Sequence, residues 1–198
     1  SQLEFYNECI SQINNVNKLL KPIFKDEVYS VKENLFKFKN IKNNYIFNPF
    51  EGQIDTGKMM DALLQKTQSK GIKILNNVTV ESFSEDINSV KIKTNQFGFS
   101  TSKLLIATNG FASQLLNENL NLDYQIKPAR AQVLITKPIK NLHIKGTFHL
   151  DKGYYYFRNI NNRILFGGGR NLDYKGEETT EFGQTEIIQN KLEEILKT

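Results

Sequence analysis

The run Lys103-Leu104-Leu105-Ile106-Ala107-Thr108-Asn109-Gly110 constrains the fold of this chain more than any other stretch. A short apolar run cut off by turn residues is the pattern of a strand buried on both faces, the kind a parallel sheet uses. Small residues at its carboxyl end let a backbone or a ligand come close, and that edge is where open α/β sheets bind ligands. Taken alone, the plainer reading, a buried strand and its turn, is the stronger one.

The neighbouring segments give that strand a setting. Leu3, Tyr6, Ile10, Ile13, Val16 and Leu20 recur at spacings of three and four, which predicts an amphipathic helix ending at Pro22. Residues 23–47 read as short strands among lysines. Pro49 and Gly52 mark a turn, and Asp55 or Thr56 can cap a helix that gathers Met59, Met60, Leu63 and Leu64. Gly71 suits the left-handed residue after such a helix, and Ile72 to Leu75 reads as a second buried strand. Residues 78–83, 89–94 and 97–102 predict a three-stranded meander, with Val90 and Ile92 alternating against Lys91 and Lys93. Phe111 to Leu122 begins as helix. Residues 125–136 predict a longer strand, and 146–150, 153–159 and 163–167 three more antiparallel ones, before a C-terminal amphipathic helix carrying Ile187, Ile188, Leu192, Ile195 and Leu196. The fold class is therefore α+β: an α/β portion with a meander, plus an antiparallel sheet flanked by helices.

Composition narrows the function classes. The chain has 198 residues, 39% of them hydrophobic, with 14 Phe and 8 Tyr, enough for a proper core. No run approaches the ~18 apolar residues of a membrane span. The chain starts with Ser1 and shows no charged n-region followed by an apolar one, so targeting is not readable from this start. The lone cysteine is compatible with a reducing compartment, and a cytoplasmic location is the expectation. Net charge is +5, but the lysines are scattered among acids and no docking motif accompanies them, so no nucleic-acid partner is expected. Cys9 is the sole cysteine, which leaves no disulfide framework and no cysteine metal site. His143 and His149 have no partner at metal-ligand spacing, and both read as surface or loop residues.

Several stretches, in this order and spacing, resemble the FAD-dependent D-amino-acid oxidase and glycine oxidase family. Phe47-Asn-Pro-Phe-Glu-Gly-Gln-Ile-Asp-Thr-Gly-Lys-Met-Met-Asp-Ala-Leu-Leu64 is similar to the family's helix leader, and Gly71-Ile-Lys-Ile-Leu-Asn-Asn-Val78 to the strand after it. Ile106-Ala-Thr-Asn-Gly-Phe111 resembles its A-T-N-G-aromatic strand end, and Ile126-Lys-Pro-Ala-Arg-Ala-Gln132 its P-x-R-G-Q, with Ala131 where glycine is usual. Tyr154-Tyr-Tyr-Phe-Arg158 and Arg163-Ile-Leu-Phe-Gly-Gly-Gly-Arg170 resemble the paired strands of its substrate domain. The likeness divides the chain into a helix with substrate-domain strands (1–47), a partial FAD-binding layer with a meander (48–116), and a substrate-domain sheet with its helix (117–198). The family's Gly-x-Gly-x-x-Gly is missing, and so is the segment with its carboxylate arginine. The resemblance thus implies the middle of a longer oxidase, inactive by itself and holding FAD weakly or not at all.

The resemblance also implies site residues. Ala107, Thr108, Asn109 and Gly110 match the strand end beside the ADP portion of FAD. Val78 matches a position whose backbone meets the adenine, though a sheet-core role serves it equally well. Tyr155 matches a tyrosine that binds the substrate carboxylate, with a core tyrosine as the alternative; alternation places Tyr155 and Phe157 on one face and Tyr154, Tyr156 and Arg158 on the other. Arg130 and Gln132 share a face that could meet flavin or substrate, although an ordinary polar face is the simpler account. Gly167 to Gly169 reads as a tight strand end. The implied chemistry is oxidation of the C–N bond of a small amine or amino acid, and no catalytic acid or base is assigned. The rival is a non-enzymatic basic α+β module that binds a partner or nucleic acid.

Overall fold

The computed structural model describes residues 2–116 and 126–197. In chain order its elements are α1 (Gln2–Phe24), β1 (Ser30–Glu33), β2 (Asn44–Phe47), α2 (Thr56–Ser69), β3 (Val80–Asp86), β4 (Ser89–Thr94), β5 (Gly98–Thr101), α3 (Ala112–Leu116), β6 (Val133–Ile135), β7 (Thr147–Leu150), β8 (Tyr155–Ile160), β9 (Arg163–Gly168) and α4 (Glu186–Lys197). The result is a mixed α+β fold with antiparallel sheets of two, three and four strands. The chain forms two compact units, one from Ser1–Ile54, Ala131–Tyr174 and Gly183–Thr198, the other from Asp55–Arg130 and Lys175–Phe182.

The first unit is built on the sheet ordered β6-β9-β8-β7. Period-two alternation puts Tyr155, Ile164 and Phe166 on one face, and α4 lays Ile188 and Leu192 against them. Leu192 and Ile188 are 0% and 1% exposed, worth about 1.5–3 kcal/mol each in apolar burial. Farther along, Phe157 stacks on Phe148 at 4.6 Å, and Phe38, from the loop between β1 and β2, packs edge-on against both. The turn after α1 is fixed by buried Asn17, whose Oδ1 accepts the amides of Val28 and Tyr29 while its Nδ2 donates to the Tyr29 carbonyl. Helix α1 does not end at Pro22 as expected. It runs to Phe24, because a proline in the last turn forfeits little of the ladder and Lys25 N–H still reaches the Lys21 carbonyl.

The second unit holds α2 and the meander β3-β4-β5. Asp55 is the cap of α2, its Oδ1 accepting the Lys58 amide at 3.1 Å, and Gly71 at φ +74° ends that helix. The meander forms as expected and buries Ile92 and Thr94. The two expected buried strands do not form. Residues 72–75 and 103–108 lie outside every sheet among the described residues, with Ile72 and Leu75 more than half exposed and Leu105 87% exposed. A strand of a parallel sheet needs neighbours on both sides, and none of the described residues supplies them. The apolar side chains of α2 stay exposed for the same reason. The expected strand over 125–136 contracts to β6; residue 125 lies outside the described residues, as do residues 117–122 of the expected helix after Phe111.

Candidate cofactor and substrate site

In the second unit the segment Ala107–Gly110 turns at Asn109, which takes φ +47° and opens a short 3₁₀ turn, closed by Phe111 N–H on the Thr108 carbonyl. The Thr108 Oγ1 is buried and has no hydrogen-bond partner. A buried hydroxyl in that state costs free energy and marks unmet bonding capacity. Beside it, a Cβ on Gly110 would come no closer than 3.8 Å to Pro128, so the backbone is approachable there. These features fit a polar group of a ligand such as FAD at this segment end. Val78 is half-buried just before β3, and its surroundings are pinned: Gln96 Nε2 donates to the Asn77 carbonyl, and Thr79 and Asn95 exchange two bonds.

Arg130 is held internally. Its Nε and one terminal nitrogen meet the two carboxylate oxygens of Glu177 at 2.9 and 2.7 Å, and its backbone N–H donates to the Glu177 carbonyl. Glu177 is fully buried, and the hydrogen bonds that the guanidinium donates to its carboxylate hold the Arg130 pKa above its ordinary value. Sequence reasoning missed Glu177. It lies 47 residues from Arg130 in a polar stretch with Glu178 and two threonines, which reads as an exposed loop. Burial without a partner is rare for glutamate, but the sequence does not say which arginine serves.

In the first unit Gln132 is buried and fastens the start of α4. Its Oε1 accepts the Thr185 amide and Gln189 Nε2, and its Nε2 donates to Thr185 Oγ1. Tyr155 is 4% exposed, ring against Phe166 in the core beneath α4, and burial pushes its phenol pKa up. The alternation on β8 holds for Tyr156 and Arg158, which lie on the opposite face, whereas Tyr154 precedes the strand in a helical backbone conformation at the end of a 3₁₀ turn. The Tyr156 ring lies so close over Gly167 that a Cβ there would meet it at 2.8 Å. Arg158 donates to the Ile54 carbonyl. His143 and His149 are both exposed. The structure thus brings Tyr155 and Gln132 into one unit and Arg130 with Ala107–Gly110 into the other. Among the described residues no group of His, Cys, Asp and Glu is arranged to hold a metal, and no helix is long and apolar enough to cross a membrane.

Residues 23–198 match the family described as DAO, FAD dependent oxidoreductase. The chain is 32% identical over 90 residues to monomeric sarcosine oxidase of Bacillus sp., covering 46% of this chain and 23% of that protein. It is 32% identical over 71 residues to the bifunctional protein ThiO/ThiG of Synechocystis sp., covering 35% of this chain and 11% of that protein. The matches thus span less than a quarter of each relative. With the family match running over nearly the whole chain, this chain belongs to the DAO family of FAD-dependent oxidoreductases.

Proposed function

We propose that the whole protein oxidises the C–N bond of a small amine or amino acid, the present chain supplying part of the cofactor site and a wall of the substrate site and being inactive by itself. The observation that carries this reading is the buried, unpartnered Thr108 hydroxyl at the turn of Thr108-Asn109-Gly110. FAD, when bound, supplies the acceptor for a hydride from the carbon next to nitrogen, and the resulting imine is hydrolysed. Thr108, with Ala107, Asn109 and Gly110, borders the ADP portion, and the Val78 backbone meets the adenine. Arg130 and Gln132 act as supports, one tying the segment before β6 to Glu177, the other fixing α4. Tyr155 sets β8 against α4, so substrate contact passes to its neighbour Tyr156 on the other face. The sarcosine oxidase relative favours an amine substrate.

The test uses the full-length protein. It should carry or take up FAD, and anaerobic addition of sarcosine, glycine or a D-amino acid should bleach the flavin absorption. A colourless protein that takes up no FAD overturns the reading. Thr108→Val should weaken FAD affinity by about tenfold, the worth of one buried hydrogen bond. Unchanged affinity would remove Thr108 from the site.

A further inference from the structure

Sequence order scatters the lysines of this chain among acids, and the fold sorts them. The loop between β1 and β2, residues 34–43, carries Lys37, Lys39 and Lys42. The loop between β6 and β7, residues 136–146, carries Lys137, Lys140 and Lys145, and neither loop holds an Asp or Glu. The two loops meet in the first unit. His143 Nε2 lies 3.3 Å from the Phe36 carbonyl oxygen, and the rings of Phe36 and Phe38 pack on Phe148 of β7 at 5.1 and 5.2 Å between centroids. The second loop is laced to the sheet as well, Ile139 N–H donating to the Asn162 carbonyl and Gly146 N–H to Asn159 Oδ1.

The surface they make pairs charge with aliphatic side chains. Along the first loop Phe36 and Phe38 turn inward, and Leu35, Lys37, Lys39 and Ile41 are left outside, with Leu35 72% exposed. The second loop adds exposed Ile139 beside Lys140. Internal bonds hold the first loop in this shape: Asn34 Nδ2 donates to the Phe38 carbonyl, and its Oδ1 accepts the Phe38 amide. Among the described residues none of these lysines forms an ion pair. Lys42 sits over the Tyr6 ring at 5.1 Å, and the others are left to solvent. Single solvated lysines need no explanation, but a field of them without counter-charge, tipped with exposed aliphatic residues, is a feature of interaction surfaces.

We propose that these two loops dock on an anionic lipid bilayer, Leu35 and Ile41 entering the boundary between headgroups and acyl chains and the lysines meeting the lipid anions around them. Lysine stems lie along apolar surface while their ammonium groups stay among the headgroups, and charge combined with apolar insertion is what stable surface attachment requires. A nucleic acid suits this surface less well. Single strands are held by stacking on exposed aromatic rings and arginines, and both phenylalanines of the first loop pack on Phe148 instead. The surface does not involve the cofactor segment, so its test and that of the oxidase reading fail separately.

The test is co-sedimentation of the full-length protein with phosphatidylcholine vesicles, with and without about one third phosphatidylserine. Partition should require the anionic lipid and weaken as salt is added. Each lysine near such a surface is worth roughly fivefold in partition, so Lys37→Glu with Lys39→Glu should lower it by at least about 25-fold, while Lys66→Glu on α2 should leave it nearly unchanged. Leu35→Ser should lower partition by about tenfold without changing its salt dependence. Circular dichroism melts matching the parent keep folding out of the comparison. This chain contains no tryptophan, so Leu35→Trp adds a reporter whose emission, read against the parent protein, should shift to the blue on anionic vesicles and be quenched by brominated acyl chains. No partition, equal partition into neutral and anionic vesicles, or an emission from Leu35→Trp that does not shift overturns the proposal. Tighter binding to polyuridylate than to vesicles, insensitive to Leu35→Ser, would assign the surface to nucleic acid and overturn it as well.

Discussion

Removing the carboxylate of Glu177 tests the internal pairing of Arg130 directly. The pair is nearly sealed: Glu177 has no exposed side-chain surface, and the Arg130 side chain is 16% exposed. Glu177→Ala keeps the backbone bond from Arg130 N–H and deletes both carboxylate contacts, stranding a guanidinium that cannot neutralise itself by losing a proton. Breaking a buried pair from one side costs roughly 3–5 kcal/mol, and the remaining access of Arg130 to water argues for the lower end, about 3 kcal/mol. At about 2–4 °C per kcal/mol for a chain of this length, the thermal midpoint should fall by about 6–12 °C. Glu177→Gln keeps one acceptor and should cost about half as much. Replacing both partners with apolar residues, Arg130→Met with Glu177→Leu, should recover most of the loss, because no charge is then stranded. Thermal melts by circular dichroism give the total, and amide exchange at Arg130 gives the local opening. A Glu177→Ala melt within about 1 °C of the parent, or a double variant as unstable as the single, would show that the pair carries no such weight.

Two further outcomes follow from the first unit. Gln132→Leu removes three side-chain bonds to Thr185 and Gln189, so the first turn of α4 should exchange its amides faster and stability should drop by about 2–3 kcal/mol. Burial raises the Tyr155 pKa above its ordinary 10.0, so the folded chain keeps that proton to higher pH than the unfolded chain does. The stabilisation is therefore complete below about pH 10 and falls as pH rises through the folded value. A tyrosinate absorbance titration should show a late step that Tyr155→Phe removes, distinct from the Tyr174 phenol that its hydrogen bond with Tyr154 also delays.

The elements legible in the sequence were those whose partners lie close along the chain. The meander follows from alternation in Val90 to Lys93 and the turn after Thr94, and β7, β8 and β9 from turns at Asp151-Lys152 and Asn161-Asn162, all four of which take positive φ. The two apolar runs failed for the opposite reason. Ile72 to Leu75 and Leu104 to Ile106 have the composition of buried strands, but composition specifies burial and not which chain segment provides it. Neither run joins a sheet among the described residues, and Ile72, Leu75 and Leu105 stay more than half exposed.

The same distinction explains what was and was not readable at the site. Period-two alternation correctly set Tyr155 apart from Tyr156, because that follows from strand geometry alone; Tyr154 falls outside the strand, on a 3₁₀ turn. Which face α4 would cover could not be read, since it depends on Ile188 and Leu192 meeting Phe166 across distant sequence. Gln132 shows how the choice is enforced: a buried amide that spends its bonds on Thr185 and Gln189 fixes where α4 begins, and so which tyrosine of β8 is sealed. The amide of this polar residue is thus engaged within the first unit, and its place in the sheet is fixed together with the start of α4.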